Sequence, residues 1–245
     1  MSSAPATSRP PRRFRPGLLL TVLCAMALGL LVSLGTWQVA RLHWKLDLIA
    51  RSEQGLALPP VPLPAATTDW AALDFRRVTV AGELLGDRSL AMGTRGEGGR
   101  VGAILVTPLK LADGRLLPVE RGWLPAELLP PGEPPTLRER RHVELTGVLR
   151  WRGDARQAPF TPDNHPETRR WYWYDGEALV RWLDGPVLPV SLAAEGAAGA
   201  EGDLVPQTVA VAYRNDHLGY AITWYSLAVV LVIFYVLLGL KRGES

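Results

Sequence analysis

Two long apolar stretches lie near the two ends of the chain, and the pattern between them changes to short alternations of apolar and polar residues. Residues 17–40 and 218–240 contain no charged side chain. At about 1.5 Å of rise per residue, a helix of either length reaches roughly 35 Å, which is enough to cross the hydrocarbon core of a bilayer. The pattern therefore predicts a membrane protein with two transmembrane α-helices, over residues 17–40 and 215–240, which flank a central domain.

The helical pattern continues beyond the first span. An amphipathic extension is predicted because large apolar and basic side chains recur at helical spacing, namely Trp37, Arg41, Trp44 and Leu48. Four prolines then predict an extended segment, so that extension and connector together occupy residues 41–65. Within the first span, small residues at four-residue spacing predict the face that packs against the second span: Ala25, Gly29 and Ser33.

Residues 66–214 are predicted to form a β-rich domain of the α+β class, either a curved sheet or a small barrel-like sheet. Phe75 to Leu84 and His142 to Arg150 alternate apolar with polar residues, and each carries a glycine in mid-strand. A bent strand in a curved sheet typically has this pattern. Asp113-Gly114 predicts a two-residue hairpin turn between two further strands, Val101–Leu111 and Arg115–Trp123.

The remaining elements of the domain are predicted from local signals. The glycine-rich segment Gly93–Gly102 precedes a strand rather than a helix, so it is interpreted as a hairpin loop and not as a phosphate-binding loop. Asp175 is placed to cap a short helix over Gly176–Leu183. Two more strands and an intervening insertion rich in Gly, Ala and Glu complete the domain: Val187–Leu192, Ala193–Asp203 and Val209–Tyr213.

The charges add a direction to this arrangement. Basic residues concentrate at the two ends of the chain: Arg9, Arg12, Arg13, Arg15, Lys241 and Arg242. By the positive-inside rule, residues 1–16 and 241–245 are predicted cytoplasmic tails, and the central domain lies on the other side. The net charge of +3 is not spread as a nucleic-acid-binding patch would be, so no nucleic-acid partner is expected. The only cysteine, Cys24, lies in the first apolar stretch, so the domain is expected to fold without a disulfide.

The sequence offers little catalytic chemistry. The four histidines have no metal-binding spacing: His43, His142, His165 and His217. No serine lies in a nucleophile-elbow motif, and the carboxylates fall in polar loops. The chain is therefore not expected to be an enzyme.

His217 has an unusual place in the sequence, at the head of the second span. On a helix, His217, Tyr220 and Trp224 share one side, because they lie at i, i+3 and i+7. One interpretation is that the imidazole hydrogen-bonds at the membrane interface and the aromatic rings only set the depth of the helix. The other is that a neutral imidazole beside aromatic rings serves as an axial ligand to a haem between two helices.

The chain resembles the SURF1 family of cytochrome c oxidase assembly factors, nearly from end to end. Five segments, in this order and flanked by two spans, carry the resemblance: Leu34–Lys45 (LGTWQVARLHWK), Phe75–Gly82, Thr107–Trp123 (TPLKLADGRLLPVERGW), Trp171–Asp175, and His217–Tyr225 (HLGYAITWY). The chain departs from the usual family pattern in two places, the insertion at Ala193–Asp203 and the segment Pro118-Val119-Glu120.

The resemblance implies a bacterial protein of the cytoplasmic (inner) membrane, with its domain in the periplasm. The implied function is non-catalytic assistance in delivering haem a to, or inserting it into, subunit I of cytochrome c oxidase. The expected partners are that subunit, the haem a synthase and membrane lipid. His217 becomes the expected axial ligand, so that a metal is bound only through haem iron, with Trp37, Tyr220 and Trp224 as walls of the pocket.

Two further groups of residues enter the hypothesis as a partner-binding or structural motif: Arg41 and Trp44 beyond the first span, and Arg121, Gly122 and Trp123 in the hairpin. The alternative function is a scaffold that stabilises an early oxidase intermediate without binding haem. In that case a His217 substitution leaves assembly intact, whereas changes at Arg121 or Trp123 impair it.

Overall fold

The computed structural model describes residues 14, 16–65, 69–129, 140–152, 160–196, 204–206 and 215–241. The chain divides into two compact units. One comprises the segments Met1–Ile49 and Ala212–Ser245, and the other comprises Ala50–Val211. Two apolar helices thus flank a domain built on a mixed sheet, as the sequence predicts.

The described elements are three α-helices and eight β-strands. The helices are α1 (Leu18–Ala57), α2 (Gly176–Leu183) and α3 (His217–Lys241). The strands are β1 (Val61–Pro62), β2 (Arg77–Leu85), β3 (Leu90–Glu97), β4 (Arg100–Lys110), β5 (Leu116–Pro125), β6 (Arg140–Trp151), β7 (Arg170–Trp171) and β8 (Val190–Ala194).

Both α1 and α3 are long and apolar enough to cross a membrane. The helical part of α1 does not end with its apolar stretch but continues through the predicted amphipathic extension as far as Ala57. In the proline-rich connector that follows, Val61 and Pro62 pair in parallel with β2. The basic residues used to predict the two tails lie outside the described residues, apart from Lys241, which ends α3.

Five strands of the domain close into a ring in the order β2, β6, β8, β5 and β4, because β4 also pairs with β2 at Lys110 and Leu109. All neighbours in the ring are antiparallel except β5 and β8, which run parallel. β3 extends the sheet from β4, and β7 pairs with β3. Of the two alternatives predicted, a curved sheet or a small barrel-like sheet, the structure has the barrel-like one.

The glycines at Gly82 and Gly147 allow strands of the ring to approach each other closely. A Cβ atom at Gly82 would lie 2.5 Å from the carbonyl oxygen of Lys110, and one at Gly147 would lie 2.5 Å from that of Ala193. Such distances are far below van der Waals contact, so any larger residue would push two backbones apart. These positions are where the sheet bends round to close.

The described residues of the domain form three hydrophobic clusters, of which the two larger ones contain most of the buried side chains. The first takes side chains from all five strands of the ring, including Val78, Leu109, Val119, Leu149 and Leu192. The second lies under α2 and contains Trp123, Trp171 and Tyr174 together with Leu179 and Leu183 of the helix. Asp175 caps α2 as predicted, because its carboxylate accepts a hydrogen bond of 2.9 Å from the Ala178 N–H.

The two hairpin turns differ in length from their predictions. The Asp113-Gly114 turn has three residues rather than two, because the Leu111 N–H donates to the Arg115 carbonyl and Gly114 adopts a positive φ of 86°. Gly93–Gly102 is a hairpin, but most of it is strand, and only Gly98 and Gly99 form the turn, with φ of 55° and 79°. Two consecutive residues with positive φ match the twist of an antiparallel pair, so glycine suits both positions.

Three predictions at the end of the domain need correction or lie outside the structure. The predicted strand at Val187–Leu192 begins only at Val190, with Val187 forming an isolated bridge to Leu116. The insertion predicted at Ala193–Asp203 begins inside β8, since Ala193 and Ala194 are buried strand residues. Small side chains fit there because β8 lies between β5 and β6. The predicted strand Val209–Tyr213 lies outside the described residues.

Candidate functional site

The two apolar helices form an antiparallel pair joined by polar side chains. Near the start of α1, the Thr21 hydroxyl lies 3.0 Å from the Tyr235 hydroxyl. Fifteen residues later along α1, the Thr36 hydroxyl lies 3.1 Å from the hydroxyl of Tyr225. Because the partners on α3 descend in number while those on α1 ascend, the helices run in opposite directions and bring the described ends near Leu18 and Lys241 to the same end of the pair.

Of the small-residue stripe predicted at Ala25, Gly29 and Ser33 as the packing face, Ala25 lies beside α3, where it lines a small cavity with Leu231 and Val232. The prediction is wrong at the other two positions. A Cβ atom at Gly29 would have no neighbour within 4 Å, and the Ser33 hydroxyl donates to the carbonyl of its own helix at Gly29. The close approach occurs instead at buried Gly35, where a Cβ atom would lie 2.9 Å from the ring of Tyr225. The polar pairs set the rotation of α1 about its axis, and this rotation brings Gly35 rather than Gly29 to the partner.

His217 is the first residue of α3, and it contacts α1 through a hydrogen bond. Its Nδ1 atom lies 2.7 Å from the Oε1 atom of Gln38. An amide oxygen only accepts hydrogen bonds, so the imidazole Nδ1 carries the proton and donates it. A neutral imidazole protonated at Nδ1 has an unprotonated Nε2, the state in which a histidine nitrogen binds a metal ion. In its neutral form, His217 therefore has the donor chemistry that an axial haem ligand needs.

The three aromatic residues predicted as pocket walls lie in different settings. Trp224 is half-buried, on the same side of α3 as His217, whereas Tyr220 is 57% exposed. Trp37 is 54% exposed and lies about 160° around α1 from Gly35, so it points away from the packing face. The structure places the two residues of α3 on the flank of His217, and it places Trp37 on the outer side of α1.

Arg41 and Trp44 interact with each other on α1. The guanidinium carbon of Arg41 lies 4.3 Å from the centroid of the Trp44 ring, a distance typical of a cation–π contact. Both side chains are exposed, with Trp44 at 48%. This pair has the amphipathic composition that suits the boundary between apolar and aqueous phases.

The hairpin motif Arg121, Gly122 and Trp123 lies in the interior of the domain. Leu105 pairs with Gly122 while Val106 pairs with Glu120, so Arg121 is the extra residue of a β-bulge in β5. Arg121 and Trp123 are buried, with only 3% and 4% of their surface exposed to solvent. A Cβ atom at Gly122 would lie 2.7 Å from the Val205 carbonyl oxygen. Trp123 therefore packs in the cluster under α2, and Gly122 allows β5 to lie close to Val205.

A buried polar cluster beside this motif was not predicted from the sequence. The carboxylate of Glu120 accepts hydrogen bonds from Arg152 and from the Ser191 hydroxyl, and Arg152 Nε also donates to Ser191 at 3.1 Å. Burial alone would raise the pKa of the Glu120 carboxyl, but the charge of Arg152 and both hydrogen bonds outweigh it and hold the pKa below its usual range. Glu120 therefore stays ionised inside the domain.

Glu120 and Arg152 of this cluster line a cavity of about 190 Å³ on the domain. Its wall includes Met92 and the aromatic segment Tyr172–Tyr174. Asn164 fixes that segment, because its amide oxygen accepts the N–H groups of Tyr172 and Trp173. Among the described residues, no group of three or more His, Cys, Asp or Glu side chains converges to hold a metal ion.

The chain is similar to known proteins over most of its length. A family model described as the SURF1 family matches residues 25–229. The chain is similar to a SURF1-like protein of Monosiga brevicollis, with 35% identity over 224 residues that cover 86% of this chain and 84% of that protein. It is also similar to Surfeit locus protein 1 of Homo sapiens, with 35% identity over 80% of this chain and 69% of that protein. A SURF1-like protein of Drosophila melanogaster is 34% identical over 86% of this chain and 73% of its own length.

Proposed function

The chain belongs to the SURF1 family, and from that premise we propose that it is a non-catalytic assembly factor for haem–copper cytochrome c oxidase. In this proposal it holds haem a and passes it to subunit I. The haem is cargo, which the haem a synthase supplies and the oxidase subunit receives. The observation that carries the proposal is the hydrogen bond from His217 to Gln38, which leaves Nε2 of the imidazole able to bind iron.

We propose further that α1 and α3 cross the bacterial cytoplasmic membrane, with both termini in the cytoplasm and the domain in the periplasm. The support for this topology is the length and apolar character of the two helices, their antiparallel pairing, and the basic residues at both ends of the chain. With that orientation, His217 lies at the periplasmic end of the helix pair.

The residues of the helix pair have distinct parts in this proposal. His217 supplies the axial nitrogen, and Gln38 holds the ring. Trp224 and Tyr220 offer aromatic surface beside it, and in the membrane Tyr220 would face lipid or cargo rather than water. A flat apolar macrocycle gains from contact with aromatic side chains, because burying its surface removes apolar area from water.

The experiment that tests the function is an absorption spectrum. The full-length protein is purified in detergent from cells that also make haem a, beside the variants His217→Ala and His165→Ala. His165 is a matched control, since it is a histidine on the domain surface that contacts Glu167. We expect a Soret band in the wild type and in His165→Ala, and its loss in His217→Ala.

The same variants distinguish a haem carrier from a scaffold that binds no haem. If the wild type carries no haem while oxidase assembly still depends on it and tolerates His217→Ala, the scaffold function holds instead. The positions of Arg121 and Trp123 bear on that alternative. Because both are buried in the barrel, substituting them would impair assembly by unfolding the domain rather than by removing a docking surface.

A further inference from the structure

We propose that Gln38 is a positioning residue that fixes the tautomer and the ring orientation of His217, an inference that rests on the haem-carrying function proposed above. Gln38 lies on α1 and His217 on α3, so the contact joins residues 179 positions apart in the chain. Neither the family resemblance nor the spacing of the histidines assigns a role to this glutamine.

The first argument concerns the other polar side chains of the apolar part of α1. The hydroxyls of Thr21, Ser33 and Thr36 all donate to the carbonyl oxygen four residues earlier in their own helix. The protons of these hydroxyls are thus satisfied within α1, although Thr21 and Thr36 also contact tyrosine hydroxyls of α3. Gln38 instead uses its amide oxygen on the imidazole of the neighbouring helix, at 2.7 Å. A large polar group in the uncharged part of a helix is costly unless it is hydrogen-bonded, so this bond stabilises both partners.

The second argument concerns the proton on the imidazole. A neutral histidine places its proton on either ring nitrogen, and the hydrogen bond made by one nitrogen decides which. Gln38 accepts from Nδ1, so it selects the tautomer in which Nε2 has a free lone pair. The opposite tautomer carries a proton on Nε2 and does not bind iron through that atom. Gln38 thus prepares the imidazole before any haem arrives.

The third argument concerns rigidity. One hydrogen bond restricts the rotation of the imidazole about its side-chain torsions, and the half-buried setting of both residues limits competition from water. Groups that orient a metal-binding histidine in this way typically account for about 10- to 100-fold in metal affinity. We expect a loss within that range when the acceptor is removed.

The test compares four forms of the full-length protein in detergent: wild type, Gln38→Leu, Gln38→Glu and Tyr225→Phe. Leucine has similar size but accepts no hydrogen bond, whereas glutamate keeps an oxygen acceptor at the same position. Tyr225→Phe is the matched control, because it deletes a different hydrogen bond between the same two helices, the one to Thr36. It leaves the His217 contact in place.

The first measurement needs no haem. Protein labelled with ¹⁵N-histidine is studied by NMR, and the His217 signals are assigned by their loss in His217→Ala. We expect the Nδ1-protonated tautomer in the wild type, in Gln38→Glu and in Tyr225→Phe, and a shift towards the Nε2-protonated tautomer in Gln38→Leu. A wild type protonated at Nε2, or a Gln38→Leu variant with unchanged signals, overturns the inference.

The second measurement is a titration with haemin, followed by absorption. Gln38→Leu should bind about 10- to 100-fold more weakly than the wild type, while Tyr225→Phe should bind like the wild type. Gln38→Glu should restore binding, with a lower iron reduction potential, because a carboxylate acceptor makes the imidazole a more basic ligand. Equal affinity and spectrum in wild type and Gln38→Leu would overturn the role of Gln38 even if haem binds.

The two failures are distinguishable. If haemin binds the wild type and is lost in His217→Ala but not weakened in Gln38→Leu, the proposed function stands and the inference falls. If the wild type binds no haemin while its tautomer still depends on Gln38, the carrier function falls. The haem-directed role of Gln38 falls with it, and only an interhelical hydrogen bond is left.

Discussion

Replacing Arg152 by leucine should destabilise the domain far more than replacing Arg140 by leucine, although each arginine pairs with one carboxylate. Arg152 pairs with Glu120, whose side chain is only 6% exposed, whereas Arg140 and its partner Asp87 are 51% and 41% exposed. Removing one partner of a buried ion pair leaves the other charge without compensation inside the protein. Removing a partner of an exposed pair leaves the other charge in contact with water, which compensates most of the lost interaction.

The size of the effect follows from the degree of burial. Breaking a buried pair costs about 3–5 kcal/mol, and Arg152 lies near the lower value because 26% of its side chain reaches solvent. For a domain of this size, about 3 kcal/mol corresponds to a fall in Tm of roughly 6–12 °C. Arg140→Leu should leave the Tm close to that of the wild type.

The assay is thermal unfolding of the full-length protein in detergent, followed by near-ultraviolet circular dichroism. Trp123 and Trp171 are buried in the domain, so their signal reports its packing. Adding Glu120→Gln to Arg152→Leu should recover part of the lost stability, because the variant then buries an amide instead of a charge. Equal Tm losses in Arg152→Leu and Arg140→Leu, or no recovery in the double variant, would refute the argument from burial.

Two further predictions concern the barrel. Gly82→Ala should lower the stability of the domain by about 1–3 kcal/mol, because the new methyl group would meet the backbone of Lys110 and two strands would have to separate. Gly96→Ala is the control, since its methyl group would lie 3.9 Å from the nearest atom, the carbonyl oxygen of Arg100. Similar melting curves for the two variants would contradict this reasoning. Acidification should also destabilise the domain through Glu120: its folded-state pKa is lowered, so its stabilising contribution is complete above the unfolded-state pKa and is lost as the pH falls through the folded-state pKa. As the pH is lowered, the Tm of the wild type should fall more steeply than the Tm of Glu120→Gln. An equal fall in the two Tm values would contradict the role of Glu120.

Local signals were sufficient where a residue acts on its own neighbours in the chain. Asp175 caps α2 at the predicted position because a cap needs only the first turn of the helix that follows it. Gly82 and Gly147 indicated a bent sheet because a glycine in an alternating strand has few other uses. The turn at Asp113-Gly114 was located correctly, but its length depends on a bulge-type hydrogen bond that alternation does not reveal.

Long-range pairing could not be predicted from these signals. The ring closes because β2 pairs with β4 and because β8 lies between β5 and β6. Neither pairing can be recognised in the local pattern of apolar residues. Ala193 was assigned to an insertion because alanine and glycine dominate that stretch. In the structure Ala193 is a buried residue of β8, which pairs with β5 on one side and with β6 on the other.

The residues of the candidate site could be predicted only in part from the sequence. His217 was found from its place at the head of an apolar helix and from the family resemblance. Gln38 was missed, although a lone amide in an uncharged helix is a signal that a polar partner exists elsewhere. Glu120 was missed because its partners, Arg152 and Ser191, lie 32 and 71 residues away. The close approach of the helices at Gly35 rather than at Gly29 was also missed, because it follows from the polar pairs between α1 and α3.

The polar contacts between the described parts of α1 and α3 include three at unequal intervals: Thr21 with Tyr235, Thr36 with Tyr225, and Gln38 with His217. Sliding one helix past the other by a single turn, about 5.4 Å, would separate all three pairs at once. A displacement of less than one turn would also break these contacts, because the side chains would then face different partners. The height of the imidazole along the pair is consequently set by the protein itself. In the proposed membrane setting, a change in bilayer thickness would tilt or bury the pair as one body without moving that nitrogen relative to Gln38.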